Sequence, residues 1–473
     1  MPPIRIVVAG GNYAGLNAVR HLYATLIAPP SPSGSPQTAE TTNTAAAAAA
    51  AAAAVGNQVE EDRNSSDNAV EITLIDKRDG FLHYIGITRG FTEPEFGEEL
   101  WVPYATVPWL QHPCIKIQHA TVTRITPNEV HLATSVVVPF DYLVIALGET
   151  RAAPIGTDAL TKDQFVATLG AVHRQIRQAR TVAVVGAGAV GIEMAADIKC
   201  DFQDKHVILA HSRALPLPGP FKDEFRRQVV GILETIGVDV MLGQRVIEQA
   251  PSASADGNVI TPAPAPAPAP TTGGSDEEGG GGGGGGGGSG YTLTLADGRR
   301  VAADCVIRCL GAELDSTMGL LDLPVDSSDS TGPILGPSGI RVRDTMQVDS
   351  DRYPNIYACG DICSRDKVKL AGVAMYGGYI AARNIARSVL VQKNGKPEDE
   401  SAEVGLEKGT LYPPKILLLL GKDEFAMQLD QEIWEKERVR PFVYDDMGLK
   451  VSVEGLSLTQ TPEHDGDLGI STD

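Results

Sequence analysis

The residues with chemical potential in this sequence are two glycine clusters and the few acids and cations near them. Gly186, Gly188 and Gly191 form G-x-G-x-x-G directly after the apolar, β-branched run Thr181-Val-Ala-Val-Val185, and an amphipathic run over 192–202 follows. That order predicts a strand, a tight turn and a helix. Gly186 lets the chain turn, Gly188 lets backbone N–H groups approach a pyrophosphate, and Gly191 lets helix and strand pack closely; the unclaimed N–H groups of the helix start then meet the phosphates. A second cluster, Gly10-Gly-Asn-Tyr-Ala-Gly15, follows the strand-like run Ile4–Ala9 and precedes a helical pattern through Leu16, Val19, Leu22 and Leu26. Here Asn12 stands where the middle glycine is usual, so a pyrophosphate must tolerate a side chain. Its partner strand, Glu71-Ile-Thr-Leu-Ile-Asp76, ends in the acid expected to bind a ribose diol. That acid normally comes roughly twenty residues after the glycines; removing an insert over 29–68 restores near-normal spacing.

After the second fingerprint's partner strand, His206–Ala210, the chain reads His211-Ser-Arg213. An NAD-selective site usually carries an acid there. No carboxylate repels a 2′-phosphate here, and Arg213 could pair with one, so NADPH should be accepted, alongside NADH. A plain surface arginine is the alternative. Three more apolar runs end in glycine where a backbone must pass close to something: Phe140 to Gly148, Cys305 to Gly311, and Asn355-Ile-Tyr-Ala-Cys-Gly-Asp361. By itself Asp361 could be a turn acid or a helix cap.

These residues must be positioned by a large α/β chain. With 473 residues, 42% of them hydrophobic, it can bury two or three cores. The expected architecture is two Rossmann-like units, the first discontinuous (1–150 and 343–410), the second over 151–342, and a small C-terminal α+β segment over 411–473. The patterns predict helices over 222–236 and 370–391, strands over 238–242 and 416–420, a hairpin from Tyr291, and an irregular aromatic segment from Asp79 to Tyr104. Two tracts lack the varied apolar surface needed to pack: 29–68, with its alanine run, and 251–290, with Pro-Ala repeats, an acidic patch and a glycine run. Both should be disordered, and the acidic tail from Glu463 should fray.

The formal charge of −20 argues against nucleic acid or an anionic membrane as the default partner. No 18-residue apolar run exists, the chain enters a strand at Ile4, and Met1-Pro2 lacks the glycine of a myristoylation signal. A cytoplasmic protein without a transmembrane segment is expected. Six cysteines form no C-x-x-C pair. Cys305/Cys309 and Cys359/Cys363 stand four apart, roughly 13 Å in an extended chain and too far for a disulfide, although a turn after Gly360 would shorten the second span. A reducing compartment follows, and no metal site is expected.

Two fingerprints followed by strand ends at Gly148, Gly311 and Gly360-Asp361, in this order, resemble the two-dinucleotide-binding-domain flavoproteins of the pyridine nucleotide-disulfide reductase fold. Within them the chain is similar to apoptosis-inducing-factor-like and ferroptosis-suppressor-like NAD(P)H oxidoreductases, through Ile75 to Arg89, Gly186 to Lys199, Ala210 to Arg213 and Tyr357 to Val389. The resemblance implies that FAD lies along Gly10, Gly11, Asn12, Tyr13, Ala14 and Gly15, with Asp76, Lys77 and Val122 at its adenosine half. Ala146 and Gly148 would line its pyrophosphate, Asp361 would bind the ribityl chain, and Arg89 would sit near the same cofactor. NADH or NADPH would lie along Gly186, Gly188, Val190, Gly191, Ser212, Arg213 and Gly311. Lys369 matches a lysine placed by the flavin ring, and Glu193 an acid that pairs with such a lysine. A cation there would stabilise an anionic reduced flavin. On the residues alone, a solvated loop lysine and a first-turn acid remain open.

The resemblance implies hydride transfer from NAD(P)H to FAD and electron transfer onward to a quinone-like small molecule. The alternatives are a protein carrier of the ferredoxin or electron-transfer-flavoprotein type, and a redox signalling role of the apoptosis-inducing-factor type. The redox cysteine pair of the disulfide reductases is missing, which disfavours thiol-disulfide chemistry. Lipid-anchored relatives begin differently, so membrane attachment does not carry over, while peripheral contact with mitochondria or lipid surfaces stays open; the chain would be a monomer or homodimer.

Overall fold

The computed structural model describes residues 2–28, 69–251, 290–311, 314, 319–324, 333–366, 368–394 and 405–458. Nearly all of the two tracts and the tail expected to be disordered lie outside them. The first sheet has five parallel strands in the order Ile356–Ala358, Tyr142–Ile145, Ile4–Ala9, Val70–Asp76 and Ile115–His119. Ile6, Val7, Val8 and Ala9 are all buried, as a central strand covered on both faces requires. Its edge strand, Ile356–Ala358, comes from beyond the whole second unit, so the first Rossmann unit is discontinuous as expected. Helices Tyr13–Leu26 and Ala371–Asn394 meet backbone to backbone: a Cβ on Gly378 would stand 2.1 Å from the Ala14 carbonyl oxygen.

The second sheet is parallel, in the order Asp239–Met241, His206–Ala210, Thr181–Val185 and Cys305–Arg308. Helix Lys162–Gln178 buries Phe165, Leu169, Val172 and Ile176, a stripe at helical spacing, and the Thr161 hydroxyl accepts from Gln164 N–H to cap it. An antiparallel sheet of Val246–Pro251, Tyr291–Leu295 and Arg300–Ala303 packs Tyr291, Leu293 and Ala303 against Ala183 and Val306.

The C-terminal segment is α+β. Its antiparallel strands Lys415–Leu420, Glu424–Leu429 and Glu432–Trp434 precede short helices Lys436–Val439 and Leu449–Gly455. It bonds to both units. The Lys222 N–H donates to Gln428 Oε1 at 3.0 Å on the second, while the Trp109 indole donates to the Ser457 carbonyl at 2.9 Å on the first.

One local expectation changes, and one strand break stands out. The stretch expected to be irregular holds helices Ile87–Thr92 and Pro94–Glu99, which pack against helix Lys162–Gln178 through Gly90, Gly97 and Leu169. Strands Ile115–His119 and Val122–Ile125, close in sequence, belong to different sheets, because the chain leaves the first sheet where Ala120 N–H donates to the Asp76 carbonyl at 3.0 Å. All six cysteines are free. Among the described residues no helix is long and apolar enough to cross a membrane.

Candidate functional site

Both fingerprints share one plan. Gly10 and Gly186 have φ of +107° and +110°, and a Cβ on either would lie 2.2 Å from the Ala146 oxygen or 2.4 Å from the Cys309 oxygen. Gly15 and Gly191 in turn rest on the carbonyls of Gly10 and Gly186, where a Cβ would stand at 1.7 and 1.8 Å. In each unit the turn therefore touches the end of the neighbouring strand and the helix touches the turn. Only glycine permits either contact.

The middle position differs between the units. A Cβ on Gly188 would meet nothing within 4 Å, so no protein atom demands glycine there; the space in front of it is open. Asn12, at the same place in the first fingerprint, caps its helix by accepting from Tyr13 N–H at 2.7 Å and donates through Nδ2 to the Leu82 carbonyl at 3.0 Å. The side chain that looked like an obstacle is turned onto the helix and onto strand Gly80–Leu82. First-turn N–H groups behind it have no intrahelical acceptor.

Asp76, 8% exposed, accepts from Gly11 N–H at 2.5 Å and from Arg78 N–H at 2.7 Å. A carboxylate holding two N–H groups keeps lone pairs for a ribose diol. Tyr104, which the sequence reading did not single out, donates to the Gly11 carbonyl at 2.6 Å and supports the same turn. Val122 is buried beside Ile75 and Ile145 beneath these strand ends, and Lys77 is exposed next to Asp76.

Asp361 follows Gly360, whose φ is +80°. Its carboxylate receives no hydrogen bond from the described residues. Burial raises its pKa, opposed by the Arg151 and Lys369 cations. Glu149, immediately after Gly148, is raised by burial too, again against Arg151, which donates to its Oε1 at 2.5 Å. Two acids and two cations thus converge at the ends of strands Tyr142–Ile145 and Ile356–Ala358. The sequence reading missed Glu149 and Arg151, although their place just after Gly148 was the available signal. A partly buried carboxylate that receives no hydrogen bond, the close-packed Gly10 and Gly15 turn, and a helix start whose first-turn N–H groups beyond Tyr13 lack an intrahelical acceptor fit the hydroxyls and pyrophosphate of FAD.

A cavity of about 660 Å³ opens over the second fingerprint. Gly186, Gly188, Val190, Ser212, Arg213 and Gly311 line it, and it runs to Arg151 and Lys369. Gly191 lies buried behind, at the helix–strand contact. The extended form, the open space at Gly188 and the basic wall fit a nicotinamide dinucleotide.

Two expected site residues are placed elsewhere. Arg89 is buried at 5% exposure and donates to the carbonyls of Gly421 at 2.9 Å and Asp445 at 3.0 Å, with Asp197 Oδ1 at 3.8 Å. Its partners belong to the C-terminal segment and helix Ala189–Asp201, not to the first fingerprint. Glu193 is partly buried on that helix and accepts from Leu419 N–H at 3.2 Å. Burial pushes its pKa up to about 8, with Asp197 adding to the shift and Leu419 N–H and Arg89 opposing it. Asp197 is pushed up to about 7 by burial despite Arg89. Lys369 donates instead to the Cys363 carbonyl, and the acids that feel its charge are Glu149, Asp361 and Asp366. The expected Lys369–Glu193 pair is not formed, because Glu193 faces strand Lys415–Leu420, a segment with no visible link to it in sequence.

The fold and the paired cradles define a two-Rossmann flavoprotein reductase, and residues 4–262 match the pyridine nucleotide-disulphide oxidoreductase family. The chain belongs to that family, as an oxidoreductase that uses FAD and NAD(P)H. It is 30% identical over 406 residues to oxidoreductase OXR1 of Ajellomyces capsulatus, covering 83% of this chain and 78% of that protein. It is 25% identical to ferroptosis suppressor protein 1 of Xenopus tropicalis, over 68% of this chain and 75% of that one. A NAD-dependent persulfide reductase from A. fulgidus superposes with a TM-score of 0.57 at 16% identity, covering 93% of this chain and 65% of that chain. These likenesses agree with the resemblance read from the motifs.

Proposed function

We propose that this chain is an FAD-dependent NAD(P)H:acceptor oxidoreductase whose electrons leave to a quinone-like small molecule. The observation that carries the reading is the 660 Å³ cavity, which starts at the second fingerprint and ends at Lys369, beside the Asp361 that closes the first unit's sheet. A coenzyme lying along it has its far end directed at the other cofactor. FAD, when bound, supplies the redox chemistry, taking a hydride from NAD(P)H and giving up electrons to the acceptor.

The chain's own residues do the rest. Gly10, Gly15 and the helix start hold one pyrophosphate, Gly186 and Gly188 the other, and Asp76 the ribose. Lys369, Arg151 and the N-terminus of helix Ala371–Asn394 place positive charge where negative charge develops. Glu149 and Asp361, whose burial favours the protonated form, can hold a proton at that point. A non-thiol acceptor is favoured because burial raises the thiol pKa of Cys200, Cys305, Cys309, Cys359 and Cys363, leaving these thiols poor nucleophiles.

The test is anaerobic stopped-flow mixing of the purified holoprotein with NADH or NADPH, followed by turnover with short-chain quinones and with ferredoxin-type carriers. The oxidised-flavin band should bleach, and quinones should restore it faster than the carriers. A band untouched by both coenzymes ends the reading, and faster reoxidation by a protein carrier replaces the acceptor.

A further inference from the structure

The two fingerprints can be superimposed residue by residue. In the first, Ala9 pairs with Ile75, and the next residue of the partner strand, Asp76, accepts from Gly11 N–H at 2.5 Å. In the second, Val185 pairs with Ala210, and the next residue, His211, accepts through Nδ1 from Ala187 N–H at 3.1 Å. The same backbone donor is met at the same place, by a carboxylate in one unit and by an imidazole in the other. Because Nδ1 accepts from a backbone N–H, a neutral His211 carries its proton on Nε2. Burial, then the Arg213 cation, holds its pKa below the ordinary value, while the nearby Leu215 carbonyl works the other way. The residue is 7% exposed and lines the cavity, while its Nε2 is itself buried and makes no hydrogen bond among the described residues.

The adjoining loops add charge. Gln244 N–H donates to the His211 carbonyl and Gly243 N–H to the Arg213 carbonyl, both at 2.8 Å, so the loop carrying Arg213 is joined to the loop carrying Arg245. Both arginines line the cavity and are exposed, and neither has a carboxylate partner among the described residues. Other arginines nearby are engaged: Arg299 with Asp297, and Arg308 with Gln249. Glu248, the one acid among the described lining residues, accepts from the Thr294 hydroxyl at 3.2 Å.

We propose that the cavity selects NADPH over NADH, with His211 seated where a diol-binding carboxylate would otherwise stand and Arg213 and Arg245 holding the 2′-phosphate. This rests on the reading of the cavity as the nicotinamide coenzyme site. A carboxylate at that seat accepts the ribose hydroxyls and repels a phosphate. A neutral imidazole at that seat brings no negative charge to repel a phosphate, and two exposed guanidiniums can meet its charge in fork geometry.

The test is calorimetric titration of the holoprotein with 2′,5′-ADP, 5′-ADP, NADP⁺ and NAD⁺. The 2′-phosphorylated ligand of each pair should bind about tenfold tighter or better, a difference that shrinks as salt rises. In R213A/R245A, which alters only exposed side chains, the NADP⁺ to NAD⁺ affinity ratio should fall to near unity, and in H211D it should move toward NAD⁺. Equal affinity of the unaltered protein for NAD⁺ and NADP⁺, or an unchanged ratio in R213A/R245A, overturns the proposal. Flavin bleached equally by both coenzymes defeats the selection alone, whereas flavin bleached by neither defeats the underlying oxidoreductase reading.

Discussion

Glu193 shows how environment overrides the type of a residue. In sequence it is an acid in the first turns of a fingerprint helix. In the fold it is a partly buried residue whose carboxyl has one backbone donor, and desolvation raises its pKa from 4.5 to about 8. The folded state therefore keeps a proton that the unfolded chain releases near its ordinary value. Between those limits the folded state binds more protons, so stability falls as pH rises through the window and levels off above about 8. In Glu193→Gln the amide oxygen still accepts from Leu419 N–H, but no proton is needed. The variant should lose less stability between pH 5.5 and 8.5 than the parent, by on the order of 1–3 kcal/mol in denaturant melts. Asp197 titrates in both proteins, and because it adds to the Glu193 shift the difference reports Glu193 together with that coupling. Parallel pH profiles would remove the argument.

At the scale of the element, the strand–turn–helix of the second fingerprint separates glycines the fold needs from a glycine that no protein contact demands and that we propose serves the ligand. Gly191→Ala puts a Cβ 1.8 Å from the Gly186 carbonyl oxygen, so helix Ala189–Asp201 must lift off its strand. A loss of about 1–3 kcal/mol is expected from that overpacking. Gly188→Ala puts its Cβ into open space at an ordinary negative φ of −76°. That variant should melt within about 0.5 kcal/mol of the parent, as substitutions away from contacts do, yet bind NADP⁺ about tenfold more weakly, roughly 1.4 kcal/mol. Calorimetry and thermal melts on the pair check both halves. A destabilised Gly188→Ala, or one with unaltered affinity, would contradict the assignment of that space to a ligand.

At the scale of the whole molecule, the C-terminal segment joins the two cradles. On the side of the first unit, His83 accepts the Tyr13 hydroxyl proton at Nδ1 and donates from Nε2 to the Met447 carbonyl, at 3.0 and 3.1 Å. The carbonyl requires a donor and so sets the tautomer. On the side of the second unit, Arg89 links Asp197 to the Gly421 and Asp445 carbonyls. Arg89→Met would leave a buried acid without its cation and two carbonyls without their donor. A cost of about 3–5 kcal/mol is expected, along with faster proteolytic cleavage within 411–458, read by chemical denaturation and limited proteolysis. A stable variant with an equally resistant C-terminal segment would show that the bridge is dispensable.

What could be read from the sequence is what local physics dictates. Gly10, Gly15, Gly186 and Gly191 are required by contacts inside one strand–turn–helix unit, so their spacing alone marked both cradles. The acid of Asp76 and the gap before it marked the first partner strand, and the apolar runs ending at Gly148, Gly311 and Gly360 marked the strands that abut the turns. Only the tertiary structure decided which charges meet. Arg89 and Glu193 looked like cofactor residues from their place in the matching motifs; their hydrogen-bond partners come from residues 419 to 445, across a distance no local pattern encodes. Lys369 meets Glu149, Arg151 and Asp361 for the same reason, since the parallel sheet brings strand ends together that lie more than 200 residues apart in the chain.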